Sequence, residues 1–451
     1  MSALANAAAL AGQQTGYVVW GIADTSHDVV GTTFNPFGKR IGNELLEGWL
    51  NRLIEPRPNI AFSAGTVDGL DVVVLEVPRA ISQPVRFKGE GFIRVGSYRK
   101  KLKDQPEKER DLWRTFDQTP FELHVAAEEV ADDDVLWLLD YPTYFDLLHR
   151  PLPEGRAGIL SALAQERMIV ATASRRWNIT NLGAILFAKR LADFPRLGRK
   201  AVRVVLYKGN SRVETIKEQV GTKGYATGFE GLIDFINGLV PSNEVIGTAL
   251  RKTVPMYPEL AVRELVVNAL IHQDLSVTGA GPMVEIFDTR MEITNPGVPL
   301  VAPDRFLDTP PRSRNEQLAA LMRRFGICEE RGSGIDKVVS QIELYQLPAP
   351  VFEIAGQDTR AVLFAHRPLT KMNRDDKVRA CYQHACLKHV MREAMTNSTV
   401  RQRFGIEDRN IATASRLIRD AVEAGAIHPY DEHAAPKLMR YIPWWAREPA
   451  T

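Results

Sequence analysis

The sequence predicts a multidomain α+β protein, and three observations carry that expectation. The chain has 451 residues, more than one core usually organises, so about two to four domains are expected. Short β-branched and aromatic runs alternate with stretches of helical apolar spacing along most of its length. After Pro368 the character changes, and residues 372–445 are basic and helical, closing on a short aromatic strand at 441–445.

The first hundred or so residues read as a compact α+β unit. Residues 16–24 (GYVVWGIAD) and 70–78 (LDVVVLEVP) read as buried strands, and 91–95 as a shorter one. Between the first two, Leu45, Leu46, Trp49, Leu50 and Leu53 stand at helical spacing within 42–54. The charged stretch 100–114 closes the unit as a polar helix or linker. From 119 to 194 the pattern turns helical, with apolar centres at 135–139 and 159–163. Residues 177–191 read as a turn and an amphipathic helix, a shape compatible with a winged helix. A strand at 201–207, a Gly-rich loop at 221–228 and a helix at 229–239 follow. Next come a helix at 261–274, a hairpin at 283–287 and 291–295, helices at 315–325 and 335–345, and a strand near 361–364. The expected domain boundaries are 1–116, 117–200, 201–368 and 369–451.

Composition narrows the function. Hydrophobic residues at 45% and charged residues at 25% are ordinary globular values. A net charge of +2 confines any nucleic-acid surface to a local patch. Cys328, Cys381 and Cys386 make no disulfide framework in a chain this long. The opening MSALANAAALAGQQ lacks a basic n-region and runs directly into a strand-like segment, so it is not read as a signal peptide. No apolar run approaches the roughly 20 residues of a membrane span. A cytoplasmic protein is expected.

The central helix carries an unusual pattern. Glu264, Asn268 and His272 recur every four residues on an otherwise apolar segment, so their side chains form one stripe. Such a stripe is costly unless each group finds a partner. Acid, amide and imidazole suit Mg²⁺ and phosphate: Glu264 can orient or deprotonate a water as the catalytic group, and Asn268 can offer a carbonyl oxygen to the ion. Asn295-Pro296-Gly297 ends a strand, where an amide can pair with a base edge and glycine admits close approach. Gly332-Ser333-Gly334 precedes a helix whose N–H groups can hold phosphate oxygens. The alternative is a solvated face or a satisfied buried network. No G-x-x-x-x-G-K-[ST] stands in the chain, so a P-loop helicase motor is not expected.

RELVVNALIHQD, EITNPG, SRNEQLAALMRR and EERGSGIDKV resemble the C-terminal module of bacterial RecG-related proteins, a divergent GHKL-type ATPase with an α/β sandwich. The resemblance covers roughly residues 255–365. It implies ATP and Mg²⁺ as cofactors, with Glu264 and Asn268 as the N-box and Asn268 as the Mg²⁺ ligand. It places Asn295 and Gly297 at the adenine-contacting box, and Gly332 and Gly334 at the phosphate lid, with His272 and Arg331 beside them. The adenine box normally carries an Asp where Asn295 stands, so binding is expected ahead of hydrolysis, and a weak ATPase is the most the resemblance implies.

LANAAALAGQQTGYVVWGIAD, VVGTTF and FIRVGSYRKKL resemble the AlbA-like domain of the Schlafen group, whose members bind nucleic acid and in some cases cleave RNA with clustered carboxylates. The family's E-F-K strand is absent ahead of this motif, and Asp24 matches the one remaining acid. Nuclease chemistry, with Asp24 as metal ligand, is therefore expected only if an upstream start restores that strand. Arg94, Arg99, Lys100 and Lys101 follow a strand end and could neutralise phosphates, the alternative being a solvated charged face. At the other end, residues 396–429 have winged-helix rhythm. Thr396 or Asn397 caps a short helix, Gly405-Ile406 turns, and a second helix at 410–424 turns Arg409, Thr413, Arg416 and Arg419 outward toward phosphates and base edges. A winged helix used for protein contacts is the alternative. The run Cys381, His384, Cys386, His389 matches no standard zinc finger.

The reading is an ATP-binding regulatory or defence-type protein acting on DNA or RNA, a homo-oligomer with no membrane partner. A DNA-binding transcription regulator with a vestigial nucleotide site, and a Schlafen-like nuclease, are the alternatives.

Overall fold

The computed structural model describes residues 1–446 apart from 57–59, 82, 97, 117–119, 173, 247–250, 311, 329–333, 432 and 436–437. The chain divides into two compact units, Met1–Thr119 and Pro120–Thr451.

The first unit is built on two sheets. One is antiparallel, in the order Thr15–Trp20, Leu70–Pro78, Ala61–Val67. The other runs Ile54–Glu55, Arg86–Phe87, Glu90–Val95, Tyr98–Lys101. A helix at Ser2–Leu10 precedes them, where the sequence suggested a direct run into the strand. Alanine favours that helix intrinsically, and two polar side chains fix it. Ser2 Oγ donates to Val85 O at 2.7 Å, while Asn6 Nδ2 donates to Val85 O and Phe92 O, both at 2.9 Å. Ala5 and Ala9 then pack with Leu75, Val77, Ile93 and Leu112. The strand expected as buried at 16–24 stops at Trp20, with Tyr17 and Val19 exposed at 56% and 43%. Among the described residues it pairs with Leu70–Pro78 alone. The helix expected over 42–54 is shortened to Leu46–Leu53, because a two-residue hairpin takes its start. The stretch 100–114 resolves into a strand end and the helix Pro106–Phe116.

In the second unit, strands Val125–Val130, Trp177–Thr180 and Ile169–Ala171 form a small sheet beside helices Asp132–Leu138, Tyr141–Leu147 and Arg156–Gln165. The expected amphipathic helix at 177–191 is instead a strand followed by Asn181–Phe187, every residue of which is buried. It serves as core. A six-stranded mixed sheet follows in the order Thr215–Val220, Arg203–Tyr207, Met283–Ile286, Arg290–Pro296, Asp358–Phe364, Val351–Ala355. Helices Tyr225–Leu239, Glu259–His272, Glu316–Arg324 and Gly334–Leu344 accompany it. The expected Gly-rich loop at 221–228 already turns helical at Tyr225. Val284, Ile286 and Ile293 of the sheet share one core with Val262, Leu265 and Leu270 of the Glu259–His272 helix and with Leu163 and Leu182 of the small sheet's helices.

The Glu316–Arg324 helix is tied down at both ends. Asn315 makes no side-chain cap. Instead the buried Glu122 carboxylate accepts from the backbone N–H of Gln317 at 2.8 Å and of Leu318 at 2.9 Å, the place where a helix favours an anion. At the other end Arg324 grips Glu166 with two bonds of 2.7 and 2.8 Å.

The C-terminal part holds helices Arg374–Val390, Asn397–Phe404 and Ile411–Glu423 and a hairpin of Ile427–Pro429 with Tyr441–Pro443. Thr396 and Thr399 form a capping box, and Gly405 closes its helix at φ +62°. These helices pack on the Gly334–Leu344 helix. Glu343 accepts from His384 Nδ1 at 2.9 Å, and Arg403, 4% exposed, lies 3.4 Å from the same carboxylate. Val339 and Leu307 meet Cys386 and Leu387 in an apolar seam.

Candidate functional site

The helix Glu259–His272 is mostly buried, and the predicted stripe is a polar break in its apolar surface. Glu264, Asn268 and His272 all line a single cavity of about 930 Å³, within the size range of small-molecule sites. Asn295 and Gly334 line it as well. Gly297 turns the chain beside it at φ +96°, where a Cβ would meet Asp274 Cβ at 2.7 Å. Arg331 and Gly332 lie outside the described residues.

Glycine at 334 allows a close approach. A Cβ there would stand 2.8 Å from Glu264 Oε2 and 3.7 Å from Asn268 Nδ2. The start of the Gly334–Leu344 helix is therefore laid directly against the polar stripe. Among the described residues, neither Glu264 nor Asn268 has a side-chain hydrogen-bond or ion-pair partner. Burial raises the pKa of Glu264, with Lys337 and Arg263 pulling the other way. Burial and the Arg314 guanidinium push His272 below its ordinary range, opposed by a bond to the Arg312 backbone. The Asn295 Nδ2 donates to Pro296 O at 3.2 Å, leaving Oδ1 as its acceptor. The cavity thus offers a carboxyl, an amide and a neutral imidazole along one wall, and a carbonyl acceptor at a strand end.

Three arginines that the sequence reading assigned no role also line it: Arg312, Arg314 and Arg323. A faint signal existed for the last. Gln317, Ala320 and Arg323 fall at three-residue spacing on one face of their helix, and all three line the cavity.

The other predicted residues fall outside the cavity. On the hairpin Glu90–Val95 with Tyr98–Lys101, Phe92 faces Lys101 and Arg94 faces Arg99, while Lys100 pairs with buried Ile93 and so belongs to the opposite face. Arg99 lies over the Phe92 ring at 4.9 Å, and Lys101 is neutralised by Glu90 at 2.9 Å. Asp24 is exposed, and among the described residues no group of three or more His, Cys, Asp or Glu is placed to hold a metal ion. On the Ile411–Glu423 helix, Arg416 and Arg419 are exposed and Thr413 half-exposed, and Arg409 is exposed just before it. Arg409 is paired with Glu407 at 2.5 Å and Arg419 with Glu423 at 3.8 Å. Among the described residues Arg416 bonds only the Thr413 hydroxyl, at 3.4 Å. Among the described residues no helix is long and apolar enough to cross a membrane.

Residues 279–363 match the family described as putative ATP-dependent DNA helicase recG C-terminal, and residues 1–103 match the Schlafen AlbA_2 family. The first match takes in Asn295 and Gly297 and begins beyond the Glu264 stripe. Among solved structures, the DIP2311 protein from Corynebacterium diphtheriae is 19% identical over 98% of this chain and 85% of that one, with a TM-score of 0.45. No curated protein matches the chain. The chain thus joins a Schlafen AlbA_2-type domain at its N-terminus to an ATPase-type module of the RecG C-terminal kind.

Proposed function

We propose that the cavity binds an adenine nucleotide with Mg²⁺, and that the flanking domains bind DNA or RNA, making the chain a nucleotide-responsive cytoplasmic regulatory or defence-type protein. One observation carries this reading: Glu264, Asn268 and His272 of one helix, Asn295 of a strand end and Gly334 of a second helix line one cavity. The donor set fits the ligand. Asn268 offers an amide oxygen to the ion, Asn295 Oδ1 accepts from an exocyclic amino group, and the close approach at Gly334 leaves room for phosphate oxygens. Bound Mg²⁺ would supply charge neutralisation for the phosphate chain. Burial shifts the Glu264 pKa upward, the direction in which a glutamate is tuned to orient or deprotonate a water. The C-terminal helices and hairpin serve as a winged helix in this reading, with Arg416 a cation without an acid partner among the described residues.

The test is calorimetric titration of the whole chain with ATP and Mg²⁺, beside Asn268→Ala and Gly334→Val. Saturable binding in the wild type, lost in both folded variants, is expected. A folded wild type that takes up no ATP overturns the reading and leaves a nucleic-acid-binding regulator on a vestigial nucleotide scaffold.

A further inference from the structure

Several arginines of this unit are paired with acids: Arg263 with Glu230 at 2.8 Å, Arg290 with Glu292 at 2.6 Å, Arg305 with Asp308 at 2.5 Å and, on the cavity wall, Arg360 with Glu353 at 3.4 Å. The other three arginines of that wall, Arg312, Arg314 and Arg323, differ. Among the described residues none of them has a carboxylate partner, and all three line the cavity.

Adjacent residues on one helix make the contrast plain. Arg324 is turned onto Glu166 at 2.7 Å, whereas its neighbour Arg323 is turned to the cavity. Arg314 is anchored, its NH2 donating to Val298 O at 2.7 Å beside Gly297. Arg312 is exposed on the same wall, with its backbone bonded to the His272 ring. Among the described residues no acid neutralises these three guanidiniums, and all three border one concavity. Unpaired cations in a walled site focus positive potential into it, and the guanidinium fork matches phosphate oxygens two at a time.

Granted the nucleotide reading above, the geometry points to Arg312 and Arg323 as side chains that hold phosphate oxygens of the nucleotide, with Arg314 as a fixed cation beside Gly297. These arginines set which nucleotide is preferred: affinity grows with each added phosphate.

The experiment titrates the full chain with AMP, ADP, ATP and inorganic tripolyphosphate, all with Mg²⁺. Wild type is compared with the Arg312→Gln, Arg323→Gln double variant, with Arg323→Lys and with Asn295→Leu. Wild type is expected to bind ATP at least about tenfold more tightly than AMP, the size of one charge-assisted bond. The double variant keeps AMP affinity but loses that gain and its tripolyphosphate binding. Arg323→Lys, which keeps the charge, retains most of the preference. Asn295→Leu loses AMP and ATP while still taking tripolyphosphate. An undiminished ATP-over-AMP ratio in a double variant with wild-type melting temperature overturns the arginine assignment and leaves the nucleotide site standing. A wild type that takes tripolyphosphate through these arginines but no adenine nucleotide overturns the nucleotide reading and keeps the anion site.

Discussion

Glu264 is 6% exposed, and its carboxyl has no partner among the described residues. Its pKa is raised by burial, so its ionised form is disfavoured in the native state. The sign follows: the native state is at no disadvantage below the unfolded pKa, and stability is lost as pH rises through the folded one. Glu264→Gln removes that loss. Its melting temperature is expected to exceed the wild type at neutral pH, with the gap closing below the ordinary glutamate range, as thermal scans across pH will read. A variant less stable at neutral pH would mean that the carboxylate gains a partner in solution. Such a group weakens the fold where it stands, the usual mark of a residue kept for use. The stripe of Glu264, Asn268 and His272 was legible because three polar residues at four-residue spacing interrupt an apolar helix. Arg312, Arg314 and Arg323 were not. An arginine in a loop or on a charged helix has no period, and what sets these apart is the acids given to their neighbours, Asp308 and Glu166, the latter far away in sequence.

At the scale of elements, the Glu316–Arg324 helix forms one wall of the cavity, and its position depends on Glu122. In sequence Asn315 looks like the natural cap. Its amide is occupied elsewhere, donating to Ile271 O at 2.8 Å and Gln273 O at 2.9 Å, which ties the end of the stripe helix to this wall. The cap therefore comes from 195 residues away, beyond any local rule. Glu122→Ala strips that cap and is expected to cost about 1–2 kcal/mol, read from the midpoint and slope of urea unfolding. An unchanged midpoint would mean that water serves the freed N–H groups equally well. The strands at Leu70–Pro78, Met283–Ile286 and Arg290–Pro296 were readable from β-branched runs bounded by turn residues. The edge strand Thr215–Val220 was missed because all its residues are exposed and its sequence, TIKEQV, has no buried face to read. The helix Ser2–Leu10 was missed because alanine gives no amphipathic period, and its anchors at Val85 and Phe92 lie some eighty residues on.

For the molecule as a whole, a net charge of +2 makes nucleic-acid affinity a matter of where cations stand free. Arg94 and Arg99 share one face of their hairpin with Phe92, Lys101 is held by Glu90, and Lys100 points to the other face. If that face meets phosphates, Arg94→Gln with Arg99→Gln should lower the slope of log affinity against log salt by about 1.4–1.8, from roughly 0.7–0.9 per contact. Lys100→Gln should leave it unchanged. Fluorescence anisotropy with labelled single- and double-stranded oligonucleotides across a salt series reads both, and an equal fall in the two variants would rule out the hairpin face as the contact. The core running from Leu163 through Leu270 to Leu363 is continuous, and continuity between segments leaves no trace in composition.

The Gly334–Leu344 helix touches the polar stripe at its first residue and lies beneath His384 and Arg403 near its last. Neither it nor the Arg374–Val390 helix can detach without uncovering Val339 and Leu387 and leaving Glu343 or Arg403 without its counter-charge. The amide protons of the two helices should therefore exchange with solvent in one shared opening event. An occupant that holds Gly334 still then slows exchange as far away as Arg403. It would be felt across the C-terminal helices as lost fluctuation, with no change of shape required.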